Sequence, residues 1–249
     1  MFVSHEGKKV PSVTFPIRVG NEWKQIQSDE IFNHRTVVVF SLPGAFTPTC
    51  SSTHLPRYNE LASAFFKEGV DEIVCISVND TFVMNEWAKD QEAEHITMIP
   101  DGNGTFTSAM NMLVDKSTIG FGMRSWRYSM LVKNGVVVKQ FIEPDKEGDP
   151  FEVSDADTML NYINPQAKKP DQVAILTREG CPHCIKAKAI LKEQGYNYAE
   201  IVLPVAIRSK TIGAITQRGT VPQVFINGLH IGGADELENW VKSNPSHAQ

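Results

Sequence analysis

Two runs of apolar residues, each too continuous to leave a face in water, constrain this chain more than any other feature. His34-Arg35-Thr36-Val37-Val38-Val39-Phe40 and Ile73-Val74-Cys75-Ile76-Ser77-Val78 place apolar side chains on both sides of an extended backbone. That is the pattern of strands buried inside a sheet. Between them, Tyr58, Leu61, Ala62 and Phe65 fall at i, i+3, i+4 and i+7, one face of a helix ending near Gly69. Thr81 to Ala93 reads as a second helix. Met130 to Val138 reads as a hairpin, because Asn134-Gly135 tolerates positive φ at its turn. Ser154-Asp155-Ala156-Asp157 is a capping-box variant opening a last helix through Tyr162. Strands alternating with helices in this order predict an α/β fold class.

The pattern then breaks. Asn164-Pro165-Gln166-Ala167-Lys168-Lys169-Pro170-Asp171-Gln172 is polar, holds two prolines and lacks a hydrophobic period, so it reads as an exposed linker. A fresh strand starts at Val173-Ala174-Ile175-Leu176, a helix at Cys181–Cys184, a further strand at Val224-Phe225-Ile226 with an Asn227-Gly228 turn, and a short helix over Asp235 to Lys242. The expected organisation is a domain over 1–164, a linker over 165–172 and a smaller domain over 173–249.

Several functions are disfavoured. The net charge is -5 with no dense basic cluster, whereas nucleic-acid binding needs a basic face. The first residues lack the apolar core of a signal peptide, and no apolar run approaches the ~20 residues that span a bilayer. A cytoplasmic protein is expected. Four cysteines in 249 residues are too few for a disulfide scaffold. Free thiols are therefore expected, and an unusual cysteine setting marks candidate chemistry.

Cys50 follows a strand and a Pro- and Gly-containing loop, Pro43-Gly44-Ala45-Phe46-Thr47-Pro48-Thr49, and sits where a helix should begin. Unpaired N–H groups and the dipole there favour thiolate, the nucleophilic form. Position alone leaves Cys50 open between a nucleophile and a small buried hydrophobe. Cys75, inside an apolar strand, reads as a core thiol.

The surrounding residues decide further. Pro43, Thr47 and Cys50 match the Pro-x-x-x-Thr-x-x-Cys signature of peroxiredoxins, and the longer Pro-Gly-Ala-Phe-Thr-Pro-x-Cys-Ser string resembles the peroxiredoxin 5 type. Thr53-His54-Leu55-Pro56, Val78-Asn79-Asp80 and Arg127-Tyr128-Ser129-Met130 agree, so the resemblance spans roughly residues 7–163. It implies that Cys50 is the peroxidatic nucleophile, that Thr47 hydrogen-bonds the peroxide, and that Arg127 orients the oxygens and stabilises the thiolate. Arg124 ranks second for that role. His54 is read as structural rather than as a base.

In the second unit, Cys181-Pro182-His183-Cys184 should place the first sulfur at an exposed helix start and the second one turn later. No second ligand pair exists at zinc spacing, so no metal is expected. Thr220-Val221-Pro222-Gln223-Val224-Phe225 and Ile231-Gly232-Gly233-Ala234-Asp235 resemble the glutathione-binding segments of glutaredoxins. The resemblance implies a cis Pro222 beside the dithiol and backbone pairing of the glutathione cysteine at Val221. It also implies a γ-glutamyl site at Gly233, Ala234 and Asp235, and Arg178 near the glycine carboxylate. His183 departs from the Tyr or Phe of that family and gives the Cys-Pro-His-Cys motif of strongly oxidising thiol oxidases, which bears on redox poise.

The whole chain thus resembles hybrid peroxiredoxin–glutaredoxin proteins: two thioredoxin-like domains, each a mixed sheet flanked by helices, with no permanently bound cofactor and glutathione as reducing co-substrate. The implied activity is glutathione-dependent reduction of hydrogen peroxide and alkyl hydroperoxides. A homo-oligomer, with peroxiredoxin–glutaredoxin contact between subunits, is the expected assembly. A peroxide sensor or chaperone and a general protein-disulfide oxidoreductase are the alternatives.

Overall fold

A computed structural model describes residues 2–204 and 208–244. The chain forms two compact units that divide between Lys169 and Pro170. In the first, Thr14–Val19 (β1) and Glu22–Gln27 (β2) make an antiparallel hairpin, followed by Ser28–Phe32 (α1) and Thr36–Leu42 (β3). Leu55–Glu60 (α2) and Ala62–Lys67 (α3) lead to Glu72–Ser77 (β4), Thr81–Asp90 (α4) and Thr97–Pro100 (β5). Thr105–Ala109 (α5), Leu113–Asp115 (β6), Met123–Ser125 (β7), Tyr128–Lys133 (β8), Val136–Ile142 (β9) and Ala156–Ile163 (α6) complete the unit.

Its main sheet has the order β5-β4-β3-β8-β9, with β3, β4 and β5 parallel and β8 antiparallel to β3. Both faces are covered, as the continuous apolar runs require. Val38, Phe40 and Leu42 point into one core with Cys50, Tyr58, Phe65 and Trp87. Val37 and Val39 point into the other with Phe15, Phe32, Phe106 and Met130. The period of two along β3 therefore sends alternate residues to opposite cores.

Boundaries differ from expectation for identifiable reasons. The strand expected from His34 begins at Thr36, because His34 takes φ 59° and its amide donates to Asn134 Oδ1 at 2.9 Å. The helix expected through Phe65 is split at Leu61, where ψ is 1°. The helix expected to reach Ala93 stops at Asp90, ahead of Glu92 at φ 48°. α6 is capped by Asp155, whose Oδ1 accepts from Thr158 N at 2.9 Å, one residue later than the capping-box reading. Ser154 is unavailable as a cap because its amide and hydroxyl both donate to Glu143.

The second unit runs Val173–Thr177 (β10), Pro182–Glu193 (α7), Tyr198–Val202 (β11), Arg208–Thr216 (α8), Gln223–Ile226 (β12), Leu229–Gly232 (β13) and Ala234–Ser243 (α9). Its sheet order is β11-β10-β12-β13, parallel only between β10 and β11. Val173, Ile175, Ala187, Leu191, Val224, Ile226 and Leu237 form its core. Each unit is thus a mixed sheet flanked by helices, the thioredoxin-like arrangement.

The stretch read as a linker is largely tied down. Ala167 packs on the first core, and Lys169 Nζ meets Asp157 Oδ1 at 2.7 Å. From the other side, Asn227 Nδ2 donates to Asp171 Oδ1 at 2.5 Å and Gln172 N to Asn227 Oδ1 at 2.9 Å. Among the described residues no helix is long and apolar enough to cross a membrane.

Candidate active sites

Cys50 stands in the first turn of the helix that follows β3. Pro48 supplies a fixed φ at that helix start, and Ser51 N donates to Thr47 O at 3.0 Å. From Cys50 to His54 the turn widens to π geometry, with Leu55 N donating to Cys50 O. Such widened turns re-aim side chains at functional sites. Cys50 itself has no accessible surface, and Phe46, at φ 61°, carries the chain around it. Thr47 Oγ1 donates to Gly44 O at 2.8 Å. With its proton committed, the Thr47 oxygen has only lone pairs to offer a third party.

Arg127, at the end of the loop before β8, brings a guanidinium to the sulfur although it is only 1% exposed. Its Nη2 donates to Cys50 Sγ at 3.5 Å. The same nitrogen reaches Asp149 Oδ1 at 2.6 Å and Oδ2 at 2.5 Å, and Nε reaches Oδ1 at 3.2 Å. Nη1 lies 2.9 Å from His54 Nδ1. The Phe151 ring sits 5.3 Å from the guanidinium carbon. Burial alone would lower the Arg127 pKa, but the Cys50 thiolate and Asp149 outweigh it and raise it. The cation is held between the Cys50 sulfur and the Asp149 carboxylate.

His54 has a defined proton. A guanidinium only donates, so His54 Nδ1 accepts and Nε2 carries the hydrogen, donated to Ser154 O at 3.2 Å. Burial, reinforced by the Arg127 charge, holds its pKa well below the usual value. It is a neutral support for Arg127. Arg124 bonds main-chain carbonyls: Nη1 donates to Val78 O at 2.6 Å and Nε to Phe121 O at 2.9 Å. Cys75 is buried in β4, and desolvation pushes its thiol well up.

Sequence reasoning missed Asp149 and Phe151, which lie in an irregular stretch with no periodicity to mark them, and read Ser154 only as a helix start. It also missed Asn79 as a support, although the residue had been noticed: its Oδ1 accepts from Ala45 N at 3.0 Å and from Ser77 Oγ at 2.8 Å.

In the second unit Cys181 caps α7, and Cys184 N donates to its sulfur at 3.3 Å. The first sulfur was expected at an exposed helix start, but Cys181 is 3% exposed and Cys184 2%. The covering group is the Val221–Pro222 turn: that peptide bond is cis, and Val221 O lies 3.8 Å from Cys181 Sγ. Burial pushes the Cys181 thiol up, but hydrogen bonds from the Cys184 thiol and amide, with Arg178, outweigh it and leave the pKa lowered. Burial and the Cys181 sulfur push Cys184 up to about 11. One thiol is poised to ionise and the other to stay protonated. All four cysteines are free.

The remaining residues of that site are spread along its rim. Gly233 precedes α9 and its amide donates to Glu236 Oε2 at 3.0 Å. Ala234 is buried, whereas Asp235 is exposed and paired with Lys186 Nζ at 2.9 Å. Arg178 and His183 are both exposed.

Comparison with known proteins matches the two units separately. The Redoxin family model covers residues 5–160, and the Glutaredoxin model covers 173–231. The hybrid peroxiredoxin hyPrx5 of Haemophilus influenzae is 59% identical over 237 residues, covering 95% of this chain and 98% of that protein. Among solved structures, reduced Prx3 from Vibrio vulnificus in complex with hydrogen peroxide is 40% identical with a TM-score of 0.61, covering 65% of this chain and 99% of that one. The 1-Cys peroxiredoxin of Plasmodium falciparum is 39% identical, also with a TM-score of 0.61, over 64% of this chain and 98% of its own.

Proposed function

This chain belongs to the Redoxin family, as a peroxiredoxin with a fused glutaredoxin domain, and from that premise we propose that the two units form one glutathione-dependent peroxidase. The observation that carries the reading is the buried Arg127 guanidinium, donating to Cys50 Sγ at 3.5 Å. Lowering a thiol pKa from ~8.5 to ~6 raises the thiolate fraction at neutral pH only about 30-fold. The rest of the acceleration must come from stabilising charge on the departing oxygen. Arg127 is the cation in position to do that, and Thr47, able only to accept, receives the hydroxyl hydrogen of the incoming peroxide.

The Cys50 sulfur attacks one peroxide oxygen, the O–O bond breaks, and the other oxygen leaves as water or alcohol with the thiol's proton. Cys50 is then a sulfenic acid. Glutathione condenses with it, releasing water and forming a mixed disulfide. Cys181 thiolate attacks the glutathione sulfur and Cys50 departs as thiolate. A second glutathione releases glutathione disulfide from Cys181. In sum, one peroxide and two glutathiones give an alcohol or water, a further water and one glutathione disulfide.

Val221, Pro222 and the Gly233–Asp235 turn receive glutathione in this reading, with Arg178 toward its glycine carboxylate. Nothing is bound permanently, and the cycle belongs in a compartment that keeps glutathione reduced, for which we assign the cytoplasm. Delivery of Cys181 to Cys50 between chains of a homo-oligomer is included in the proposal. The test is NADPH consumption in the presence of glutathione, glutathione reductase and peroxide, with no added glutaredoxin. Sustained turnover that disappears in Cys50→Ser is expected. No turnover with glutathione, although thioredoxin supports it, would remove glutathione from the mechanism.

A further inference from the structure

We propose that Glu143 is a positioning residue of the peroxidatic site, holding Arg127 in register through the irregular segment 149–154. The inference rests on the peroxidase reading of Cys50. Glu143 follows β9 and is 1% exposed. Its Oε1 accepts from Val153 N at 2.9 Å, Ser154 N at 2.8 Å and Ser154 Oγ at 2.7 Å, and its Oε2 accepts from Glu152 N at 2.8 Å. Those are four donors, none of them a cation. Burying a carboxylate is costly unless its lone pairs are filled, and here three consecutive residues are spent on filling them.

The same residue is tied to the loop that carries the arginine. Glu143 N donates to Arg127 O at 3.1 Å, and Trp126 Nε1 donates to Glu143 O at 2.9 Å. Its main chain therefore grips Trp126 and Arg127 while its side chain grips residues 152–154.

That stretch has no ladder of its own. From residue 143 to residue 155 the backbone is neither helix nor strand. Its order comes largely from side-chain anchors, and Glu143 supplies four of those hydrogen bonds. The held stretch then supplies the surroundings of the guanidinium. Ser154 O accepts from His54 Nε2 and from Tyr58 OH at 3.0 Å, which fixes the imidazole that meets Arg127 Nη1. Asp149 takes Nε and Nη2, and the Phe151 ring packs against both Arg127 and His54. Apart from the sulfur, every group described around the guanidinium belongs to the 149–154 stretch or to His54. Loosening the stretch lets the guanidinium drift, and a displacement of about 1 Å at a reacting centre can cost on the order of 100-fold in rate.

Glu143→Gln tests this with almost no change of shape, because an amide NH2 must then face at least one N–H donor. The measurement is the rate at which the Cys50 thiol is lost to hydrogen peroxide in the full chain. A fall of about tenfold or more is expected. The pH midpoint of Cys50 alkylation should also move up by about half a unit or more, as Arg127, the cation facing the sulfur, is less well placed. Asp149 lies behind that cation, and His54 is neutral. A wild-type rate and midpoint with a lowered Tm would overturn the proposal, since Glu143 would then only stabilise the fold. Should Glu143→Gln fail to fold, Ser154→Ala deletes one donor and keeps the backbone. A loss of about two- to fivefold there supports the proposal, and a wild-type rate overturns it. Cys50→Ser is run in parallel: peroxide consumption by that variant would instead remove the peroxidase reading itself.

Discussion

The two thiols to which we assign chemistry are prepared in opposite ways. Cys181 is served locally: its neighbours are Cys184, one turn away, and Arg178, three residues before it, with the Val221–Pro222 turn as the distant contribution. Cys50 depends on groups 77 and 99 positions further along, Arg127 on the sulfur and Asp149 behind the arginine. A local arrangement suits a thiol that, in the proposed cycle, only takes a glutathionyl group from another sulfur, because little has to be in place beyond the helix start. A remote, buried cation suits a thiol that must stabilise charge on one small leaving oxygen, and it makes that site sensitive to changes far away in sequence.

The sharpest way to break this contrast is at the cation. Arg127→Ala should slow peroxide attack on Cys50 by about 100-fold or more, the usual cost of removing a preorganised donor. Arg124→Ala should cost less than about threefold, because its bonds are to Val78 and Phe121 carbonyls and their loss falls mainly on stability. Stopped-flow oxidation of the two variants would decide. An equal loss in both would mean that the guanidinium contact is not what prepares Cys50.

The dithiol offers the next largest difference. Cys181→Ser should reduce glutathione-supported turnover to background while still permitting one oxidation of Cys50 per chain. Cys184→Ser should retain turnover to within about fivefold, since a single thiolate suffices to take a glutathionyl group. Loss of activity in both would show that the route passes through a Cys181–Cys184 disulfide. Mass spectrometry after brief alkylation at pH 8 gives a second view: Cys181 should be labelled first, and Cys184, raised to about 11, should stay unmodified.

A smaller effect separates the units by pH. The His54 pKa in the folded chain lies well below its unfolded value of ~6.5. Below that pH the unfolded chain binds a proton that the folded one does not. The stability His54 permits is therefore complete above about pH 6.5 and is lost as pH falls, by up to about 1.4 kcal/mol per pH unit. Chemical denaturation of residues 1–169 between pH 7 and 5 should show this slope, and His54→Asn should flatten it. The smallest effect is at the surface. Asp157 is held down at about 2, chiefly by its hydrogen bonds from Arg57. Arg57→Ala should therefore lower the Tm of the first unit at pH 7 by a few degrees at most, by about half as much at pH 3, where the folded carboxylate is still ionised, and hardly at all below about pH 2.

What could be read in advance follows the same division between near and far. Buried strands β3, β4 and β10 were visible because both their faces are apolar, and the hairpin after β8 because Asn134 and Gly135 both take positive φ. β1, β2, β11 and β13 were not. β11 is an edge strand with most of its side chains in water, so neither a run nor an alternation marks it. Cys50 and the dithiol were legible through helix-start chemistry and motif. The partners of Arg127 were not, because Asp149 and Phe151 acquire meaning only once Glu143 has folded their segment back. The contacts made along the linker were hidden for a related reason: Lys169 and Asp171 look like solvated charges until their partners Asp157 and Asn227 are in place.

One contact gives the chain an optical handle on its own chemistry. The indole of Trp87, fully buried on α4, donates from Nε1 to Ser51 Oγ at 3.0 Å, on the residue next to Cys50. An added oxygen or a glutathionyl group on Cys50 must displace the turn that carries Ser51, because the sulfur has no free surface around it. The indole would then lose its hydrogen-bond acceptor and change emission. The state of the sulfur should thus be legible in light, turnover by turnover, without a label and without a second enzyme in the cuvette.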